Sequence, residues 1–163
     1  GAVKSRRPKG AWDPFFNVVA VIVPPLVMSV YLGLAEAARD LALQRAAGQR
    51  EQPEVWVLAG ELENALVTGQ LAVQGMIDLC AGYAFEPGPT TASAAFARKT
   101  IAAQALLQTA EKALELAGGG GLMRSVGLER LVRDLHAAPF HPLPPKRQQL
   151  FTGRLVLGLD PVG

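Results

Sequence analysis

The sequence predicts an all-α protein, an antiparallel four-helix bundle built mainly from long helices. Three observations lead there. Half of the 163 residues are hydrophobic and only 18% are charged, which gives one domain enough apolar surface for a proper core. Alanine and leucine dominate that set while aromatics make up 6%, the opposite of what the strands of a β-sandwich need. Apolar residues also recur at threes and fours along extended stretches joined by brief glycine- or proline-bearing breaks, the pattern of helices that return antiparallel.

Residues 1–13 are polar and proline-punctuated, start at Gly1 rather than Met, and read as the tail of something upstream, with the helical domain at 14–163. Between Asp13 and Glu36 there is no charge, and residues 15–35 are long enough for a membrane span. Against a span stand Pro24 and Pro25 in the middle, Asn17 and Ser29, and the unbroken continuation into Glu36, Arg39 and Asp40 at helical spacing. The expectation is a helix buried in its first half and amphipathic in its second, kinked or broken at the prolines. Residues 44–53 form a turn, and Pro53 suits the first turn of a second helix. That helix carries Leu58, Leu62, Ala65, Leu66, Gly69, Ala72, Val73, Met76 and Leu79 as its core stripe and ends within 82–89. Thr90 or Thr91 is expected to cap a third helix with Phe96, Ile101, Ala105, Leu106, Ala110, Ala113 and Leu114 inward, stopped by glycines 118–121. A short helix follows on Leu128, Leu131, Val132 and Leu135, then a bend at Pro139, Pro142, Pro144 and Pro145, then a last helix over 147–157.

A net charge of +2 argues against a nucleic-acid binder. The cluster of Lys4, Arg6, Arg7 and Lys9 is read as a solvated terminal loop in preference to a DNA-binding arm. Cys80 is the single cysteine, so there is no disulfide framework and no cysteine metal site, and a reducing cytoplasm fits. His136 and His141, five apart without flanking carboxylates or thiols, make a poor metal site.

Four consecutive glycines exceed what a helix stop requires; backbone without Cβ atoms lets a phosphate or another chain approach, although a plain loop is equally open from composition. The context is more specific. Gly118, Gly119 and Gly121, followed after a spacer by Glu129, Arg130, Arg133 and Asp134, resemble the Gly-Gly-x-Gly … Glu-Arg-x-x-Arg-Asp signature of acyl-CoA dehydrogenases. The order of elements agrees: a basic tail ending near Trp12, three long helices, the glycine loop, two short helices. The resemblance thus covers essentially the whole chain as that family's C-terminal third and implies an N-terminal helical domain and a central β-domain upstream, whose tail would be residues 1–13. It further implies a homo-oligomer, dimer or tetramer, in which the glycine loop touches the FAD of a neighbouring subunit. Gly118 and Gly119 become the cofactor-contact candidates. Arg45, standing where the family has Arg-x-x-Phe-Gly, either pairs a phosphate or is a solvated turn residue. Glu115 replaces the family's usual Gln three residues before the first glycine.

Acyl-CoA dehydrogenation requires a carboxylate base. The resemblance places it eight residues after Asp134, where this chain has Pro142, or early in the first long helix, where no acid lies between Asp13 and Glu36. His141 stands beside that position. Asp134 followed seven residues later by His141 is similar to the two-component flavin monooxygenases of the same fold, and implies a histidine beside the ring of a reduced FMN or FAD. An imidazole can donate a hydrogen bond or exchange a proton near neutral pH; the alternative is an ordinary surface or core histidine. His136 is read as structural. Expected partners are accordingly an acyl-CoA or small organic substrate and a flavin reductase or electron-transfer flavoprotein, with no nucleic acid and no membrane. A non-catalytic helical oligomerisation domain is the reading from a different class.

Overall fold

The computed structural model describes residues 12–162, so Lys4, Arg6, Arg7, Lys9 and nearly all of the expected upstream tail lie outside the described residues. Five α-helices follow in order: α1 Phe15–Ala46, α2 Pro53–Cys80, α3 Pro89–Ala117, α4 Leu128–Leu135 and α5 Pro145–Val156. Single turns of 3-10 helix link them, and no strand occurs among the described residues.

The core is a stack of layers along parallel α1 and α3, with α2 returning antiparallel. At one end Ala20, Ala92 and Phe96 meet Phe151 of α5, with Trp12 packed alongside. Next come Met28 of α1, Val73 and Met76 of α2, and Ala102 and Ala103 of α3. Ala35, Leu66, Leu106, Ala110 and Leu135 form the following layer. Ala42, Ala46, Leu62, Ala113, Leu116 and Leu128 close the far end, where α4 lies over α1 and α3. Much of this interior is alanine, so helix backbones approach closely: a Cβ on Gly69 would sit 2.7 Å from Leu106 Cδ2.

The predicted stripe of α2 is observed, with Leu62, Ala65, Leu66, Gly69, Ala72, Val73 and Met76 buried. α1 differs from expectation in two ways. It runs unbroken through Pro24 and Pro25, both buried. Pro25 has no N–H for the carbonyl of Val21, and the thiol of Cys80 donates to that carbonyl instead, at 3.3 Å. Its first half is also not buried all round: Phe15, Val23, Leu26 and Val30 are exposed. α3 begins at Pro89 behind Gly88, with neither Thr90 nor Thr91 as cap. Ile101 is out of phase with the core stripe and is half exposed, whereas Lys99, in phase with Phe96 and Ala103, is 1% exposed. α5 starts two residues before expectation because Pro145 occupies its first turn.

Residues Phe15–Gln49 and Pro53–Tyr83 are long and apolar enough to cross a membrane by length and composition, with mean hydropathies of 2.3 and 1.2 over their most apolar windows. The core helices of soluble proteins pass the same criterion.

Candidate functional site

His141 lies in the proline-rich bend between α4 and α5, and the bundle holds it from two sides. Its Nε2 shares a hydrogen bond of 2.8 Å with the Tyr31 hydroxyl of α1. The two rings meet edge to face, with centroids 5.4 Å apart. On the other side the ammonium of Lys99, projecting from α3, donates to the carbonyls of Pro139 at 3.0 Å, His141 at 2.7 Å and Leu143 at 3.3 Å. Burial pushes the Lys99 amine down from 10.5 to about 8.

Beside this bend opens a cavity of about 330 Å³. Its walls are mostly apolar, with Phe16, Val23, Val27 and Phe96 among them, and its polar side chains include those of His141 and Lys99. No aspartate or glutamate is among the lining residues. The arrangement can receive a hydrophobic ligand and present it with one imidazole whose orientation is fixed by a phenol.

The second group lies at the far end of the bundle. Gly118 caps α3 with φ +65° and ψ −172°. This backbone is essentially restricted to glycine. Its N–H donates to the carbonyls of Leu114 and Glu115. Gly120 lies under the guanidinium of Arg45, whose Cζ is 3.0 Å from where a Cβ would stand. Gly121 is buried against Ala117 and Leu128, again without space for a Cβ. Gly119 alone has neither reason to be glycine: its φ is not positive and a Cβ there would meet nothing within 4 Å. A backbone left bare toward open space, close to an arginine, leaves room for another group to approach. Arg45 is in the last turn of α1, not in the loop beyond it. Glu115 shares the ammonium of Lys112 with Glu61, at 2.8 and 2.7 Å, which offsets part of its charge.

The fold therefore brings Arg45 to the glycines and keeps His141 away from both. Nineteen residues of α3 separate Lys99 from Gly118, about 28 Å at 1.5 Å per residue. His136 is exposed and bonds the carbonyl of its own helix at Val132, in keeping with a structural role. Tyr31 and Lys99 were not foreseen from sequence. Lys99 carried a signal, a lysine in phase with the apolar stripe of its helix; Tyr31, inside an apolar run, carried none.

The family model "Acyl-CoA dehydrogenase, C-terminal domain" matches residues 26–143. No curated protein matches the sequence. In fold the chain is similar to the HsaA monooxygenase from M. tuberculosis, with 16% identity and a TM-score of 0.75 over 86% of this chain and 40% of that one. It is similar to the 3-HSA hydroxylase from Rhodococcus sp. RHA1, with 21% identity and a TM-score of 0.75 over 86% of this chain and 38% of that one. It is also similar to KijD3, solved with FMN and a dTDP-linked amino-keto sugar, with 23% identity and a TM-score of 0.80 over 95% of this chain and 40% of that one. The chain thus spans about two fifths of the length of these proteins.

Proposed function

This chain belongs to the acyl-CoA dehydrogenase C-terminal domain family, and on that premise we propose that residues 14–163 are the helical C-terminal domain of a flavin-dependent oxidoreductase, with residues 1–13 the tail of a β-domain. The chemistry the geometry favours is oxygen insertion into a small organic substrate. One observation carries this reading: the apolar cavity presents an oriented imidazole, His141, and no carboxylate among its lining residues. A base that removes a proton α to a thioester is normally a carboxylate, whereas oxygen chemistry needs a group that holds or passes one proton near neutral pH. The Tyr31 hydroxyl and His141 Nε2 share one hydrogen-bonding proton at 2.8 Å. The similar structures include a monooxygenase and a hydroxylase, which supports the same choice. Dehydrogenation of an acyl thioester with FAD is the second reading, favoured by the family's own description.

Gly119, Gly118 and Arg45 would hold the phosphates of the flavin nucleotide, FAD or FMN. Bound flavin supplies the electron-transfer chemistry, accepting hydride when oxidised and delivering electrons to oxygen when reduced. The chain's residues exclude water with the walls of the cavity, orient the substrate there, and hold one proton between Tyr31 Oη and His141 Nε2. The 28 Å between the two groups (about nineteen helical residues) supports a loop that serves the flavin of another copy. Exposed Leu26, Val30, Val67 and Leu71 on α1 and α2 supply apolar surface for a homo-oligomer, dimer or tetramer, in the cytoplasm and not in a membrane. A flavin reductase completes the oxygenase reading, and an electron-transfer flavoprotein the dehydrogenase reading.

The two chemistries separate in a stopped-flow experiment on the flavin-loaded protein. Reduced flavin mixed with oxygen gives a slowly decaying transient absorbance in an oxygenase, and His141→Ala shortens it. Bleaching of oxidised flavin by acyl-CoA under nitrogen, with no such transient, would replace the oxygenase reading by the dehydrogenase one.

A further inference from the structure

We infer that Lys99 is a positioning residue for His141: its enclosed ammonium gathers the carbonyls of the 139–143 bend and so fixes the direction in which the imidazole points. The inference rests on the reading of His141 as the group facing the flavin and substrate. Backbone carbonyls taken out of water need donors. Here those of Pro139, His141 and Leu143 converge on one nitrogen, which has three N–H donors to meet them. The shortest of the three, 2.7 Å, goes to the carbonyl of His141 itself. Lys99 thereby fixes the backbone of residue 141 from α3, while Tyr31 fixes its ring from α1.

Prolines at 139, 142, 144 and 145 leave this segment poor in backbone N–H groups, so it cannot satisfy its own carbonyls as a helix would. An external donor is required, and an ammonium supplies more donors from one point than any neutral side chain. The position itself is a core position, since Lys99 follows Phe96 and precedes Ala102 and Ala103 on the buried face of α3. A hydrophobic side chain is the ordinary occupant of such a site, and a charge there carries a desolvation penalty. That penalty is borne beside the one histidine that faces the cavity. Burial also lowers the amine toward neutrality, to about 8.

The test uses the full flavin-loaded chain, with Lys99→Met, which removes every donor, and Lys99→Gln, which keeps two N–H donors without charge. These 163 residues hold two histidines, so 15N-imidazole NMR follows His141, assigned by the resonances lost in His141→Ala, with His136 assigned the same way as internal control. In the wild type, Tyr31→Phe shifts the His141 ring nitrogens. In Lys99→Met the same change has little effect, because the ring has left Tyr31, while His136 is unmoved. The second readout is the oxygen-dependent transient. Lys99→Met shortens it about tenfold, the order seen when a group that orients a functional histidine is lost. In a His141→Ala background the same substitution adds nothing. Additive effects, or His141 resonances that respond to Tyr31→Phe as in the wild type, overturn the inference. Should Lys99→Met fail to fold, Lys99→Gln carries the same two comparisons with partial effects. A wild type lacking any oxygen transient sinks the oxygenase reading alone, because the imidazole spectra decide the role of Lys99 without it.

Discussion

Replacing Lys99 by methionine has a pH signature whose size follows from the structure. The Lys99 amine is pushed from 10.5 to about 8 by burial. Between those values the unfolded chain holds the proton and the folded chain has released it, so the unfolded state binds more protons and stability rises with pH. At 1.36 kcal/mol per pH unit the whole window is worth about 3 kcal/mol, most of it between pH 7 and pH 10. Methionine has no proton to lose, so this increment is absent from the variant. At pH 7 the variant leaves three carbonyls without their donor, at about 1–3 kcal/mol each. That loss exceeds the relief of removing a buried charge, so the variant starts out less stable. The advantage of the wild type then widens by about 2–3 kcal/mol on going to pH 10. Urea denaturation followed by far-UV circular dichroism at both pH values measures it, and taking the difference between the proteins cancels every other titrating group. A difference that stays constant, or narrows, refutes the assignment of a burial-depressed amine at this position.

Substitutions at four other positions test the remaining features. Gly118→Ala destabilises the fold by about 1–3 kcal/mol, because its backbone is one that alanine resists. Gly119→Ala leaves urea stability within about 0.5 kcal/mol yet weakens flavin binding, read by fluorescence titration; equal effects at the two positions would contradict the division of labour in the loop. Gly69→Ala lowers stability by about 1 kcal/mol, since overpacking against Leu106 outweighs the gain in helix propensity, and a melting curve registers it. Cys80→Ala removes the donor to Val21 and costs about 1 kcal/mol, whereas Cys80→Ser retains most of it.

How far the sequence spoke depended on whether a helix has a polar side. α2 does, and its seven buried positions were readable from spacing alone. α1 is apolar around nearly its whole circumference for twenty residues, so period carries little information there and the exposed Leu26 and Val30 passed for core. Its prolines read as a break because the replacement donor, Cys80, comes from another helix 59 residues away. The glycine run was legible as a ligand-approach candidate by its motif. Which glycine does which job was not, since the answer lies with Arg45 and Leu128, neighbours that only folding supplies. His141 became a candidate by its distance from Asp134. Tyr31 was missed because tyrosine in an apolar run looks like any other large side chain, and Lys99 because its charge masked its phase.

Opposite placement of the histidine bend and the glycine loop has a genetic corollary. Damage at either end leaves the other intact on the same rigid rod. On the proposed reading, in which the loop serves the flavin of another copy, a chain lacking the imidazole and a chain with an obstructed loop are expected to rescue one another when expressed together: the sound loop of the first and the sound histidine of the second would make one complete centre. A protein whose two groups converged within a single chain could not be complemented in that way.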